Sequence, residues 1–207
     1  MGLDFAQIVP SLALGIGLAA CAGLRAWAPL LLLGALARWG VVDLSPSFQF
    51  IAGNRALILF GAASLVEILG DKIPVVDHTL DAIGTVLRPA AGSLLAASVL
   101  WSISDPLTAL ALGVAVGVPS SLVPHAAKST LRVVSSTTTG GLANPVLSLL
   151  EDAITLVLFV LTVVLPIVAA ALVVVTAFVV VRKLRRRSAA RHRSRAVTAS
   201  AERGAVQ

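Results

Sequence analysis

Long apolar blocks, broken only by proline, glycine and isolated charges, set the pattern of this chain. Residues 163–181 are interrupted only by Pro166 and Thr176, and about 20 such residues cross the hydrocarbon core of a bilayer as a helix. A first block, 8–36, is too long for one untilted span. It carries Arg25 in its middle and Pro29 just beyond, where proline removes a backbone donor, so a span followed by a half-helix is expected. Further blocks lie at 55–70, 89–104 and 107–123. Residues 145–181 hold either a hairpin or one long kinked helix, with interruptions at Glu151–Asp152 and Pro166.

Between these blocks lie two polar stretches. In DKIPVVDHTLDAIGTVLRP, Val76, Leu80, Ile83 and Leu87 share one helical face, while Asp77, Asp81 and Arg88 lie off it. This predicts a short amphipathic helix in the interface plane with its carboxylates in water. The second stretch, PHAAKSTLRVVSSTTTGGLAN at 124–144, is the least apolar part of the body and reads as a loop. The pattern as a whole predicts an all-α integral membrane protein of about six transmembrane segments, with broken or re-entrant helices.

Composition sharpens this picture. The 207 residues are 57% hydrophobic and only 13% charged, with mean hydropathy +0.97, whereas soluble domains carry roughly a quarter charged residues. The net charge of +6 is unevenly placed. Residues 182–207, which open with RKLRRRSAARHRSR, hold nine of the sixteen Lys and Arg residues, and the body is slightly acidic. Residues 1–181 are therefore expected to form the transmembrane domain, and 182–207 a basic, disordered tail. Basic residues directly after an apolar block place that end in the cytoplasm, in a multi-pass protein of the cell (plasma or inner) membrane. The bilayer and its anionic headgroups are the partners expected for the tail. Nucleic acid is not, because no aromatic or folded reader accompanies the charge. The single cysteine, Cys21, excludes an intrachain disulfide.

Residues 12–24, LALGIGLAACAGL, resemble 110–122, LALGVAVGVPSSL, and SLVE at 64–67 resembles SLLE at 148–151. Chance matches arise easily in a chain rich in Leu, Ala and Val. If the matches are real, repeats at 8–104 and 106–181 each hold three segments, and an odd number forces them into opposite orientations. Inverted repeats with interrupted helices build transporter folds, with the site at the repeat interface.

Charge inside a bilayer costs about 2.5–3.5 kcal/mol at a helix centre and marks pathways or pairing. Glu67 and Asp71, one helical turn apart, with Glu151 and Asp152, are candidates for proton or cation coupling, since neighbouring carboxylates tend to share a proton. Arg25 has no acidic residue within ten positions. It must reach across to another segment or sit in water, and it is expected within hydrogen-bond or single-water reach of Glu67, Asp71, Glu151 or Asp152. His125, Lys128 and Arg132, with Arg25 and the hydroxyl–glycine run Ser129, Ser136, Thr137, Thr138, Thr139 and Gly140, are candidates for an anion cradle, phosphate suiting the Arg fork. The rival readings are ordinary ion pairs that hold a bundle together and a polar cytoplasmic loop. Asp71, Asp77 and Asp81 would suit a divalent ion only if they were not simply solvated. No cofactor or catalytic motif is expected.

The stretches GLRAWAPLLLLG, SLVEILGDKIPVVDHTLDAIGTVLRPAAG and HAAKSTLRVVSSTTTGGLANPVLSLLED resemble the bacterial membrane family catalogued as domain of unknown function 4126, up to about Pro166. The resemblance implies an integral membrane protein and names no activity. The function expected is a small secondary transporter or lipid-headgroup translocase for an anionic, phosphate-bearing substrate, coupled through the buried carboxylates. The alternatives are a membrane-embedded enzyme acting on a lipid phosphate and a structural scaffold.

Overall fold

The computed structural model describes residues 5–71, 73–103 and 105–182, without the side chains of 5–7, 74, 75, 77 and 78. Expectations for Lys72, for the Asp77 side chain and for the basic tail from 183 onward lie outside the described residues. Helices account for nearly all of the rest: α1 (Phe5–Leu24), α2 (Ala28–Arg38), α3 (Asn54–Gly70), α4 (Pro74–Ser98), α5 (Pro106–Thr139) and α6 (Asn144–Val164). A 3-10 turn, Pro46–Ala52, precedes α3, and an apolar helix α7 runs Pro166–Arg182. The described residues up to Val173 form one compact unit, and those from Val174 on belong to a second.

Local chemistry explains most boundaries. Proline occupies the first turn of α2, α4, α5 and α6, where its missing N–H costs nothing. Asp105 caps α5, accepting from the Thr108 hydroxyl at 2.5 Å and the Thr108 backbone N–H at 2.8 Å. These two bonds hold its carboxyl below the usual carboxylate range. Gly140, at φ 61°, ends α5 in the left-handed conformation that glycine adopts freely. The break between α6 and α7 falls at Leu165, directly before Pro166.

Several expectations change here. The interfacial helix and the segment after it are one continuous helix, α4, with Pro89 inside it. The expected loop 124–144 is helical as far as Thr139, so α5 passes through both Pro119 and Pro124. Neighbouring groups can re-satisfy the carbonyls that such prolines free. Glu151–Asp152 does not interrupt α6. By length and composition α5 and α6 could each cross a membrane, and the bent pair of the 3-10 turn and α3 would make a third. Ile8–Leu24, α2 and α7 are apolar but shorter, and α4 carries Asp77, Asp81 and Arg88.

Helix α1 is the centre of the first unit, packed by α4, α5 and α6. Leu18, Ala19, Ala20, Cys21 and Ala22 are fully buried, the all-round burial expected of a helix apolar on every side. On α5 one inward stripe runs Ala109, Gly113, Gly117, Ser121, His125, Lys128, Arg132, Ser135. Its first half is small-residue packing, which lets helix backbones approach closely. A Cβ on Gly113 would lie 2.6 Å from Ser93 O, and one on Gly117 2.6 Å from Gly92 C and O. The outer faces are strongly apolar: Leu107, Leu131, Val133, Val157 and Leu142 are among many large exposed side chains. An apolar exterior of this extent is what lipid contact requires.

Candidate functional site

The second half of the α5 stripe is where the chemistry lies. α1 stops at Leu24, so α5 runs past its end, and long cationic side chains fill the space that small residues closed above. Lys128 Nζ donates to Leu24 O at 3.3 Å, placing a cation at the negative pole of α1. After three intervening residues, α2 begins at Ala28. The Glu67 carboxylate accepts from the Ala26 N–H at 3.1 Å and the Trp27 N–H at 3.3 Å, placing an anion at the positive pole of α2. The break between α1 and α2 thus has an opposite charge at each exposed pole, and Arg25 sits in the gap.

Arg25 is 1% exposed. It donates to Asp71 Oδ2 and, at 2.9 Å, to Ser148 Oγ, and its Nε lies 2.7 Å from Asp152 Oδ1. It reaches across to other helices as the sequence requires. Asp71 Oδ2 also meets Arg132 Nη2 at 3.0 Å and Lys128 Nζ at 3.4 Å, so one carboxylate oxygen faces three cations. Glu151 takes Arg132 in a two-pronged pair, Nε to Oε1 at 3.1 Å and Nη2 to Oε2 at 2.7 Å, and Lys128 Nζ lies 2.9 Å from Oε2. Such forks are the stronger charge-assisted bonds.

The structure adds two members to the predicted set. Asp81, expected in water, lies 3.3 Å from Arg88, 3.7 Å from Arg132 and 3.9 Å from Lys128. Arg88 is 1% exposed, pairs at 3.8 Å with Glu67, and donates Nη1–H to His125 Nδ1. Arg has donors only, so Nδ1 accepts, and the imidazole is neutral with its proton on Nε2. There it faces Thr85 Oγ1 at 3.3 Å. The signal for Asp81 and Arg88 was in the sequence: Asp81, Gly84 and Arg88 are spaced i, i+3 and i+7, one helical face that Val76, Leu80, Ile83 and Leu87 do not share.

The network therefore joins Arg25, Arg88, Lys128 and Arg132 with Glu67, Asp71, Asp81, Glu151 and Asp152. The hydroxyl–glycine run is not gathered into it. Thr137 and Thr138 are exposed and bond back to Val134 O, and Thr139 bonds back to Ser135 O, as hydroxyls on a helix do. Ser136 accepts from Asn144 Nδ2, Ser129 lies off the inward stripe, and Gly140 is the exposed cap of α5. The segment is helix as far as Thr139, which spends its backbone N–H groups internally, so these hydroxyls do not join the charged groups. Among the described residues no cluster of His, Cys, Asp and Glu is arranged to hold a metal ion; Asp71 and Asp81 face Lys and Arg instead.

Asp81 is thus held by buried cations, and its loss should be felt. Asp81→Asn is expected to cost about 1–3 kcal/mol, because it weakens a contact to buried Arg88. Glu67→Gln should cost a similar amount by losing one of two backbone N–H acceptors. Thermal unfolding of the two purified variants tests this, and an unchanged Asp81→Asn transition would return that side chain to water.

These features define a class: an all-helical protein with membrane-length apolar helices and a buried charge network at a broken helix. Within that class the chain belongs to the family described as Domain of unknown function (DUF4126), whose pattern matches residues 12–186. Every network residue falls inside the match, which continues past Pro166 into the basic run. No curated protein and no solved structure matches the chain.

Proposed function

We propose that the chain is a small proton-coupled transporter or lipid-headgroup translocase for an anionic, phosphate-bearing substrate. The observation that carries this reading is Asp71 Oδ2, which occupies the point where Arg25, Lys128 and Arg132 converge. A substrate oxyanion suits the same point, but only by displacing a carboxylate. A displaced carboxylate loses its cations and takes up a proton more readily. Anion binding and proton binding then favour each other, and by linkage the coupling is reciprocal. Asp71 Oδ1, buried without a hydrogen-bond partner among the described residues, offers a place for that proton. The half-helix poles of α1 and α2 fit the broken-helix sites of transporters. The two halves also supply matching parts, since Ser64 and Glu67 in α3 and Ser148 and Glu151 in α6 are all buried.

The test uses the full chain in liposomes with a trapped pH dye. An inward gradient of inorganic phosphate should drive proton entry, and Glu151→Gln should reduce it about tenfold or more, in line with the loss of a charge-assisted bond. A fluorescent short-chain phosphatidate added to one leaflet forms the second arm and separates a lipid headgroup from free phosphate. If neither probe moves, or if Glu151→Gln moves them as fast as the parent, the proposal fails. The rival, a purely structural network, draws on the fact that each cation already has a carboxylate partner.

A further inference from the structure

Beside the network, α3 and α4 enclose a cavity of about 180 Å³ with Ala26 and Trp27 at the start of α2. Its walls are apolar, among them Trp27, Ala63 and Ile83, and its polar floor is Glu67 and Arg88. Val66 and Ile83, which also line it, are 61% and 49% exposed, so the mouth opens beside apolar outer surface.

Arg88, although paired through its two terminal nitrogens, keeps one donor unmet. Its Nε is buried without a hydrogen-bond partner among the described residues, and its pairs with Asp81 and Glu67 are at 3.3 and 3.8 Å. Leaving a buried charged donor without an acceptor forfeits its hydration with nothing in return. Gly84 borders the cavity at this atom: a Cβ there would lie 3.2 Å from both Nε and Cζ. The absence of a side chain at 84 leaves only the glycine backbone between the buried guanidinium edge and the cavity. Glu67 does not fill this need, since its oxygens are turned to the Ala26 and Trp27 N–H groups, and the α2 pole offsets its charge.

We infer that this cavity binds the oxyanion end of a single amphiphile, whose hydrocarbon chain leaves it past Val66 and Ile83. A guanidinium edge with a free N–H selects a carboxylate or phosphate oxygen, because charge-assisted bonds are roughly twice as strong as neutral ones. The volume sets the division of the ligand. Cavities of about 150 Å³ hold a benzene-sized molecule, so only the headgroup and its first carbons fit inside. The remaining chain lies along the exposed apolar faces of α3 and α4. Binding of this kind needs no proton coupling and is tested apart from it.

Photocrosslinking of the full chain in nanodiscs tests it, with a diazirine-bearing palmitate and a diazirine-bearing phosphatidate as probes. Peptides that contain Val66 or Ile83 should be labelled, and an unlabelled acid should compete. Whichever probe labels more strongly identifies the carboxylate or the phosphate as the headgroup. Arg88→Lys keeps the charge but lacks the Nε–H, and Val66→Trp blocks the mouth from an exposed position. Each should reduce labelling about tenfold, the effect of losing about 1.4 kcal/mol. Equal labelling by the matching fatty alcohol, unchanged labelling in Val66→Trp, or no labelling by either acidic probe would overturn the inference.

Discussion

Replacing Asp71 with asparagine is expected to lower stability by about 3–5 kcal/mol, the usual cost of removing one partner from a buried ionic cluster. The mechanism is specific. Asp71 is 1% exposed, and its Oδ2 balances Arg25, Lys128 and Arg132. Without that charge, three guanidinium and ammonium groups crowd one another in a space that water does not reach. Asp152→Asn supplies the comparison. Its side chain is 30% exposed and, among the described residues, pairs with Arg25 alone, so its loss should cost about 1 kcal/mol or less. Thermal unfolding of the purified proteins separates the two. A second variant isolates the charge term: Lys128→Met removes one of the stranded cations. Asp71→Asn combined with Lys128→Met should cost less than the two singles added together, as coupled neighbours do. Strict additivity, or equal losses at Asp71 and Asp152, would mean that the three cations do not depend on Asp71.

This network was partly legible in the sequence, for reasons of cost. An arginine inside an apolar block with no nearby acid has to find a distant one, and Arg25 does so at Asp71 and Asp152. Pro29 marked the break that puts Arg25 in a gap. What misled was polarity taken as a sign of loop. The stretch that starts at Pro124 is rich in hydroxyls, yet those hydroxyls return to carbonyls one turn back and suit a helix. The spacing of His125, Lys128, Arg132 and Ser135 held the better signal, since it continues the stripe begun by Gly113 and Gly117. Asp81 and Arg88 were misplaced for a related reason. An amphipathic helix has a polar face, and sequence cannot say whether that face meets water or another polar face. Here it meets the polar stripe of α5.

That stripe depends on how closely α4 and α5 approach, which Gly117 controls. Gly117→Ala is expected to destabilise the protein, although the same change in an ordinary helix gains about 1 kcal/mol. The sign turns on the neighbours. The new Cβ would lie 2.6 Å from Gly92 C, Gly92 O and Ser93 Cα, all of them backbone, with no flexible side chain to move aside. Overpacking of this kind costs about 1–3 kcal/mol and occasionally more, so the clash should outweigh the propensity gain. Gly117→Leu should cost more still, because the whole side chain must fit where two helices touch. Gly61 in α3 is the control. A Cβ there meets only Leu31 Cδ1, at 3.8 Å, so Gly61→Ala should be neutral or stabilising by up to about 1 kcal/mol. The displacement should also reach the network, since Lys128 and Arg132 lie on the same face of α5, three and four turns below. The unfolding transition of Gly117→Ala should therefore fall while that of Gly61→Ala holds or rises. A shared upward shift would show that α4 and α5 have room to spare, and that the small-residue stripe does not hold the charged half in place.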